Sequence, residues 1–329
     1  MVAFAANSLL ARLALQTTPI DPSTFTAVRL GAGALTLAAL MRHQGLRLDT
    51  SRRGWWSGLL LFVYAAGFSH AYRGLDTGTG ALVLFASAQL LMMAVGWQRG
   101  ERPHGVGALL ALAGLVVFLA PGASPTAASH LVHAALMLAA GLAWGGFSVL
   151  GKSAGQQAMT PLAATGSSFV LATPLALGLL AWESLQGTAL HAPPLGVAYA
   201  VLSGCVTSAL GYVLWYWVRQ RMATQAAGTV QLSVPVLSVL MGLAWLGETM
   251  GLRQVLAGGV VLMGVGVAAP PHPYGGRPPP RGVATPWLRR SPGWSIRLRR
   301  ISGCTISGSA GPVGFLAPVT SRPCRRSFA

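Results

Sequence analysis

Ten apolar stretches follow one another along residues 1–269, and no other feature restricts the fold of this chain as strongly. They lie near 2–16, 24–41, 55–72, 79–97, 105–120, 131–150, 161–181, 195–217, 224–246 and 252–269. A helix needs about 20 apolar residues to cross the hydrocarbon of a bilayer. Ten such spans need about 200 residues, which leaves room for short loops and none for a folded soluble domain. The stretches are continuous rather than alternating, which argues against an outer-membrane barrel. Charged residues make up only 9% of the chain and apolar residues 53%, whereas soluble domains carry about 25% charge. Neither a soluble globule nor a long disordered chain fits those values. The expected fold class is therefore all-α integral membrane, with ten transmembrane helices.

The first stretch is short, and Met1 stands almost at its start, so the natural first span is expected to begin upstream of it. No basic segment followed by an apolar core and a small-residue cleavage site is evident, so a cleavable signal peptide is not expected. The three cysteines, Cys205, Cys304 and Cys324, are far apart and lack metal-ligand spacing. No disulfide framework, metal site or cofactor is expected from them.

The charge divides the chain. All 6 acids and 13 of the 23 Lys/Arg fall in residues 1–269, while residues 270–329 hold 10 arginines, no acid and 11 of the 21 prolines. Residues 270–329 read as a disordered Arg/Pro-rich tail. Three readings of that tail stay open. It attaches to anionic lipid head groups, it makes non-specific nucleic-acid contact, or it is an unselected extension. No specific nucleic-acid partner is expected.

Basic residues in the loops set the orientation. Arg42, Arg47, Arg52, Arg53, Arg99, Arg102, Lys152, Arg219 and Arg221 fall on one side, against Arg73 and Arg253 on the other. That bias places both termini in the cytoplasm of a multi-pass inner (plasma) membrane protein.

The apolar body also reads as duplicated. A shift of 147 carries Gly100-Glu101 onto Gly247-Glu248, and Val83, Leu90 and Leu115 onto Val230, Leu237 and Leu262. A shift of 140 carries Ala3, Ser8, Leu10 and Ala14 onto Ala143, Ser148, Leu150 and Ala154, with Arg12 on Lys152. Each half holds five spans, and an odd number makes the second half enter from the opposite side. Inverted repeats of this kind are an architecture of secondary transporters, whose sites lie near the midplane between halves. The domain limits expected are 1–122 and 130–269.

Several short motifs, in order, carry a family resemblance. They are Ala6-Asn7-Ser8-Leu9-Leu10-Ala11-Arg12, Phe25-Thr26-Ala27-Val28-Arg29-Leu30, Ala81-Leu82-Val83-Leu84-Phe85, Gly100-Glu101, Ala143-Trp144-Gly145 and Gly247-Glu248. Over residues 3–269 the chain resembles the EamA-like branch of the drug/metabolite transporter superfamily. The resemblance implies two five-helix EamA repeats and the export or exchange of small metabolites or drugs.

Polar residues deep in the spans are the candidates for a site, because an intramembrane charge is costly and faces protein or water. Arg29 either holds an anionic group by bidentate hydrogen bonds, or snorkels to the nearby loop or pairs with Asp21. Gln89 and Gln231 need partners inside lipid and serve either a cavity or helix–helix contact. Trp144, flanked by glycines, stacks on a substrate or packs between helices. Tyr212 lies deeper than Trp215, Tyr216 and Trp217, which read mainly as an interfacial aromatic belt, and is the better cavity candidate. His70 is a candidate proton relay or a satisfied interfacial group. Pro174 and Pro235 each free a backbone carbonyl, which suits a gate or a static kink. Arg12 is expected to snorkel, Glu183 to lie at the surface, and Glu101 and Glu248 to serve helix starts or loops.

No His-Glu-x-x-His, Gly-x-Ser-x-Gly or nucleotide-binding loop occurs, so an enzyme is not expected. The function expected is a secondary transporter working by alternating access, with a small-molecule substrate, membrane lipids around it, and coupling to protons, ions or a counter-substrate. A homodimer is compatible with the sequence. The alternatives are a non-transporting membrane receptor or scaffold and, more remotely, an intramembrane enzyme.

Overall fold

The computed structural model describes residues 1–98, 105–119, 127–155, 159–219, 230–231 and 233–268. All lie within one compact unit, Met1–Gly275. The tail expected over 270–329 lies outside the described residues, as do Gly100 and Glu101.

The described residues form helices that fall on the apolar stretches. These are α1 (Val2–Thr17), α2 (Pro22–His43), α3 (Arg52–Ala71), α4 (Thr77–Gln98), α5 (Gly105–Leu119), α6 (Ala127–Gly155) and α7 (Pro161–Leu185). They are followed by α8 (Pro194–Leu202), a π-helical segment (Ser203–Leu210), α9 (Gly211–Arg219), α10 (Ser233–Leu246) and α11 (Leu252–Ala268). The α8–π–α9 run is a single rod.

The starts of several helices are written in local chemistry. Asp21 caps α2 by accepting from Thr24 N at 2.7 Å, with Pro22 in the first turn. Ser51 caps α3 and Thr160 caps α7 in the same way, the latter followed by Pro161. A side-chain acceptor there satisfies an amide with no partner in its helix, and a proline loses nothing at that position. Gly45, Gly187 and Gly247 take positive φ just past α2, α7 and α10, a conformation that glycine adopts without steric cost.

Five helical runs are long and apolar enough to cross a membrane: Pro22–His43, Thr77–Gln98, His130–Gly151, Pro161–Leu185 and Pro194–Val218. Gly105–Phe118, Ser233–Leu246 and Leu252–Ala268 are apolar but shorter. Among the described residues, five of the ten expected spans thus meet that length and composition, and residues 99–104, 120–126, 220–229 and 232, which border the shorter runs, lie outside the described residues.

Helix pairing is specific. α2 packs on α7, α3 on α6 and α7, α4 on α6 and α10, and α5 on α11. α1 packs on α10, α8 and the π-helical segment, and α2 also packs on α8 and that segment. Glycines allow the closest approaches. A Cβ on Gly107 would collide with the backbone of Ala268, and one on Gly264 with that of Ala111. Gly141 and Gly145 let α6 lie against the backbone of α4 at Leu84 and Ala88. The small residues beside Trp144 therefore serve helix packing.

Candidate functional site

Arg29 is carried by α2 and is 1% exposed. Its Nε donates to Ser208 Oγ at 3.1 Å, and its Nη2 donates to Tyr64 OH at 2.9 Å and Tyr212 OH at 3.3 Å. The guanidinium carbon lies 4.7 Å from the Phe68 ring centroid and 5.2 Å from that of Tyr64. Aromatic faces attract a cation at such distances. The side chain neither snorkels nor pairs with Asp21, whose carboxylate is used by Thr24 and by the backbone N–H of His191. No ion pair to Arg29 exists among the described residues, and its Nη1 is buried without a hydrogen-bond partner.

Asn7 of α1 is the second centre, and it is 3% exposed. Its Oδ1 accepts from Ser203 Oγ (2.7 Å), Thr207 Oγ1 (3.1 Å) and Ser208 Oγ (3.3 Å), all in the π-helical segment. Its Nδ2 donates to Tyr64 OH at 3.3 Å. Tyr212 OH also donates to Tyr64 OH, at 3.0 Å. One network therefore joins α1, α2, α3 and the π-helical rod. π-helical turns are rare and concentrate at functional sites. Replacing Asn7 by alanine strands up to three buried hydroxyls. The expected cost is about 1–3 kcal/mol of stability, read as a lowered thermal midpoint in detergent.

The network borders a small cavity whose wall includes Phe4, Asn7, Ser8, Tyr64, Trp144 and Tyr212. Ring centroids of Trp144 and Tyr212 are 4.8 Å apart, and those of Trp144 and Tyr64 are 5.1 Å apart. Phe4 meets Tyr212 edge-on at 5.6 Å. Such geometry fixes aromatic rings in place. Trp144 Nε1 is buried without a hydrogen-bond partner. The wall itself carries the unpartnered Trp144 Nε1, and Arg29 touches it only through the hydroxyls of Tyr64 and Tyr212, while its acceptors are few beyond Asn7 Oδ1 and the hydroxyls. That arrangement fits a small group that is anionic and rich in acceptors.

Arg29, Trp144 and Tyr212 thus come together, whereas the other candidates do not join them. Gln89 is half-buried on α4 and Gln231 is buried, and neither lines this cavity. His70 lies at the end of α3, with Nδ1 2.9 Å from Ala66 O and Nε2 3.5 Å from both Ser23 Oγ and Glu183 Oε1. Pro174 is inside α7 and Pro235 lies in α10. Asn7, Tyr64 and Ser208 were not singled out from the sequence as cavity residues. An amide in the middle of the first apolar stretch was the signal for Asn7. Trp215, expected in the aromatic belt, is instead buried against Phe4 at 5.9 Å, while Trp217 is half-exposed.

A larger cavity opens near the start of α3, lined in part by Asp49, Arg53, Ser57, Ser168 and Tyr216. The far end of α3 is different. There Arg12 does not snorkel as expected. It pairs with Glu248 (Nε–Oε1 2.9 Å) and with Asp76 (Nη2–Oδ1 3.2 Å), and its Nη1 donates to Tyr72 O at 2.8 Å. Burial, and then the Glu248 carboxylate, push the Asp76 carboxyl above its ordinary 3.8, while Arg12 and His130 pull it down. An acid with a raised folded pKa contributes stability below its unfolded value and loses it as pH rises through the folded one. Asp76→Asn cannot ionise and retains an oxygen for Arg12. Its thermal midpoint is expected to equal or exceed the parent's at about pH 7 and to converge with it at about pH 4, as a detergent melting series over pH would register.

Apolar helices, five of them long enough to cross a membrane, thus surround a buried, polar, aromatic-lined cavity. The EamA-like transporter family model matches residues 132–269. The uncharacterised protein PA1977 of Pseudomonas aeruginosa is 45% identical over 275 residues, covering 83% of this chain and 92% of that one. The threonine/homoserine exporter RhtA of Escherichia coli is 30% identical over 240 residues, covering 72% of this chain and 78% of RhtA. A solved crystal structure shares the fold at 21% identity and a TM-score of 0.58, covering 81% of this chain and 95% of that one. The chain belongs to the EamA-like transporter family, and so to the drug/metabolite transporters.

Proposed function

We propose that the protein is a secondary carrier that exports or exchanges a small metabolite bearing a carboxylate, by alternating access around the Arg29 cavity. One observation carries this reading: a fully buried guanidinium, bonded to two tyrosines of the cavity wall, with no acidic partner among the described residues and one nitrogen that makes no hydrogen bond. A buried cation without a counter-charge costs on the order of several kcal/mol. A bound carboxylate supplies the missing partner through charge-assisted hydrogen bonds. Trp144 and Tyr212 then stack on the rest of the molecule, and Asn7 and Ser208 hold Arg29 and Tyr64 in place. Hydrophilic amino acids are the substrate class to test first, because the related RhtA is a threonine/homoserine exporter.

Two five-helix repeats, 1–122 and 130–269, underlie the mechanism. The helix pairing supports them. Exchanging each rod of α1–α5 with its counterpart among α6, α7, the α8–α9 rod, α10 and α11 carries the pairs onto one another. The α3–α6 contact maps onto the α1–α8 contact, α4–α6 onto α1–α10, and α3–α7 onto α2–α8, while α2–α7, α4–α10 and α5–α11 map onto themselves. Rocking of one repeat against the other would expose the cavity to each side in turn. The loop charges favour an inner-membrane carrier with both termini in the cytoplasm, so that the larger cavity near Arg53 faces the cytoplasm. His70 remains the candidate proton relay.

The test is metabolite release. Cells carrying the protein, Arg29→Ala or empty vector are loaded with labelled nutrients, threonine and homoserine among them, and the medium is profiled. Enrichment of a carboxylate-bearing compound with the parent alone is the expected result. Enrichment that survives Arg29→Ala overturns the assignment of the arginine.

A further inference from the structure

We propose that Arg12 and Glu248 form the gate that seals one end of the transport path. The pair belongs to neither cavity. Glu248 follows Gly247, whose positive φ of 63° reverses the chain at the end of α10. The reversed backbone is pinned by Glu248 N donating to Gly242 O at 3.2 Å. The carboxylate then occupies a space that exists only because residue 242 is glycine, since a Cβ there would collide with Glu248 Oε2.

From that position Glu248 bridges two other helices. Its Oε1 accepts from Arg12 Nε of α1 at 2.9 Å, and its Oε2 accepts from Thr77 N, the first amide of α4, at 2.7 Å. An anion at a helix start is favoured by the helix dipole as well as by the bond. Arg12 extends the tie to α3 through Tyr72 O at 2.8 Å. Both side chains are nearly buried, at 11% and 13% exposure. Four helices from both halves of the chain are thus tied together through Arg12 and Glu248, with Asp76 as a second carboxylate on Arg12.

The location matches a gate. Arg12 lies five residues beyond Asn7 on α1, about 7.5 Å further along the axis, and so just past the central cavity. The larger cavity near Arg53 lies at the opposite end of α3, about 28 Å from Tyr72. A vestibule opens at the Arg53 end, and Arg12–Glu248 ties the helices together at the other. For access to alternate, this pair must break.

The inference takes its purpose from the carrier reading but does not depend on Arg29 as the binding residue. Its test therefore uses no substrate. Ser8, in the wall of the central cavity, is changed to cysteine in a chain carrying Cys205→Ser, Cys304→Ser and Cys324→Ser. A charged, impermeant methanethiosulfonate is applied to intact cells and to inverted vesicles, and the labelling rate from each side is measured. The reading is the ratio of the gate-side rate to the Arg53-side rate, so the second rate acts as the reference for folding. With Ser8→Cys alone, labelling is expected chiefly from the Arg53 side. Adding Glu248→Gln or Arg12→Gln is expected to raise the ratio about tenfold, and Arg12→Lys, which keeps the charge but loses the paired geometry, less. A ratio unchanged by both Gln variants overturns the gate, whatever the fate of the Arg29 site.

Discussion

Arg29→Met is expected to abolish transport while leaving the protein as stable as before or more so. The two readouts part because of how Arg29 is held. A structural arginine repays its burial through its partners, so its removal destabilises. Arg29 has three hydroxyl partners and two aromatic faces but no carboxylate, and one nitrogen is unused. Replacing a buried charge with an apolar side chain of similar length is often neutral or stabilising. The function lost is the charge-assisted contact to the substrate, about 1.5–3 kcal/mol, or roughly tenfold to 150-fold in affinity. Arg29→Lys is expected to fall near Met in transport, because a point charge cannot reach Ser208, the tyrosines and a ligand together. Efflux of labelled threonine and homoserine, with detergent melting curves on the same variants, provides the two measurements. A fall in both, with transport tracking the folded fraction, would make the arginine structural.

Gly204→Val is the variant expected to damage the fold most at this site. Gly204 sits in the π-helical segment directly against α2, where any Cβ would collide with the backbone of Arg29 itself. Gly33 on α2 faces Gly204 O and the Phe169 ring in the same crossing. Backbone against backbone leaves no flexible side chain to yield, so the rods must separate. Overpacking of this sort costs about 1–3 kcal/mol, occasionally more. The separation also withdraws Ser208 and Tyr212 from Arg29. Lower yield of folded protein in detergent and a depressed melting midpoint are expected, with Gly204→Ala milder in the same direction.

Much of the fold was legible in the sequence for a plain reason. Apolar residues in runs can do little else in a bilayer, and among the described residues the helices fall on those runs. Arg29, Trp144 and Tyr212 were legible because bulky or charged groups deep in apolar segments need a purpose. Asn7 and Ser208 were not, since small polar residues hydrogen-bond harmlessly within helices, and only the meeting of α1 with the π-helical rod distinguishes them. Arg12 misled for a related reason. Its position in the chain says that it ends a helix, and nothing local says that Glu248, 236 residues away, waits there.

The π-helical stretch has a consequence for insertions and deletions. A hydrogen bond that spans five residues instead of four closes a turn holding one residue more than an α-turn. That surplus lets neighbouring Thr207 and Ser208 both reach Asn7 Oδ1. Deleting outward-facing Val206, which is 47% exposed, would let the rod relax to α-helix. The wide turn itself holds the surplus residue, so its loss would leave Tyr212 facing the cavity and would withdraw Thr207 or Ser208 from Asn7 Oδ1 instead. A one-residue gap at this place is thus a change the rod can absorb, registered in the bonds that tie it to α1.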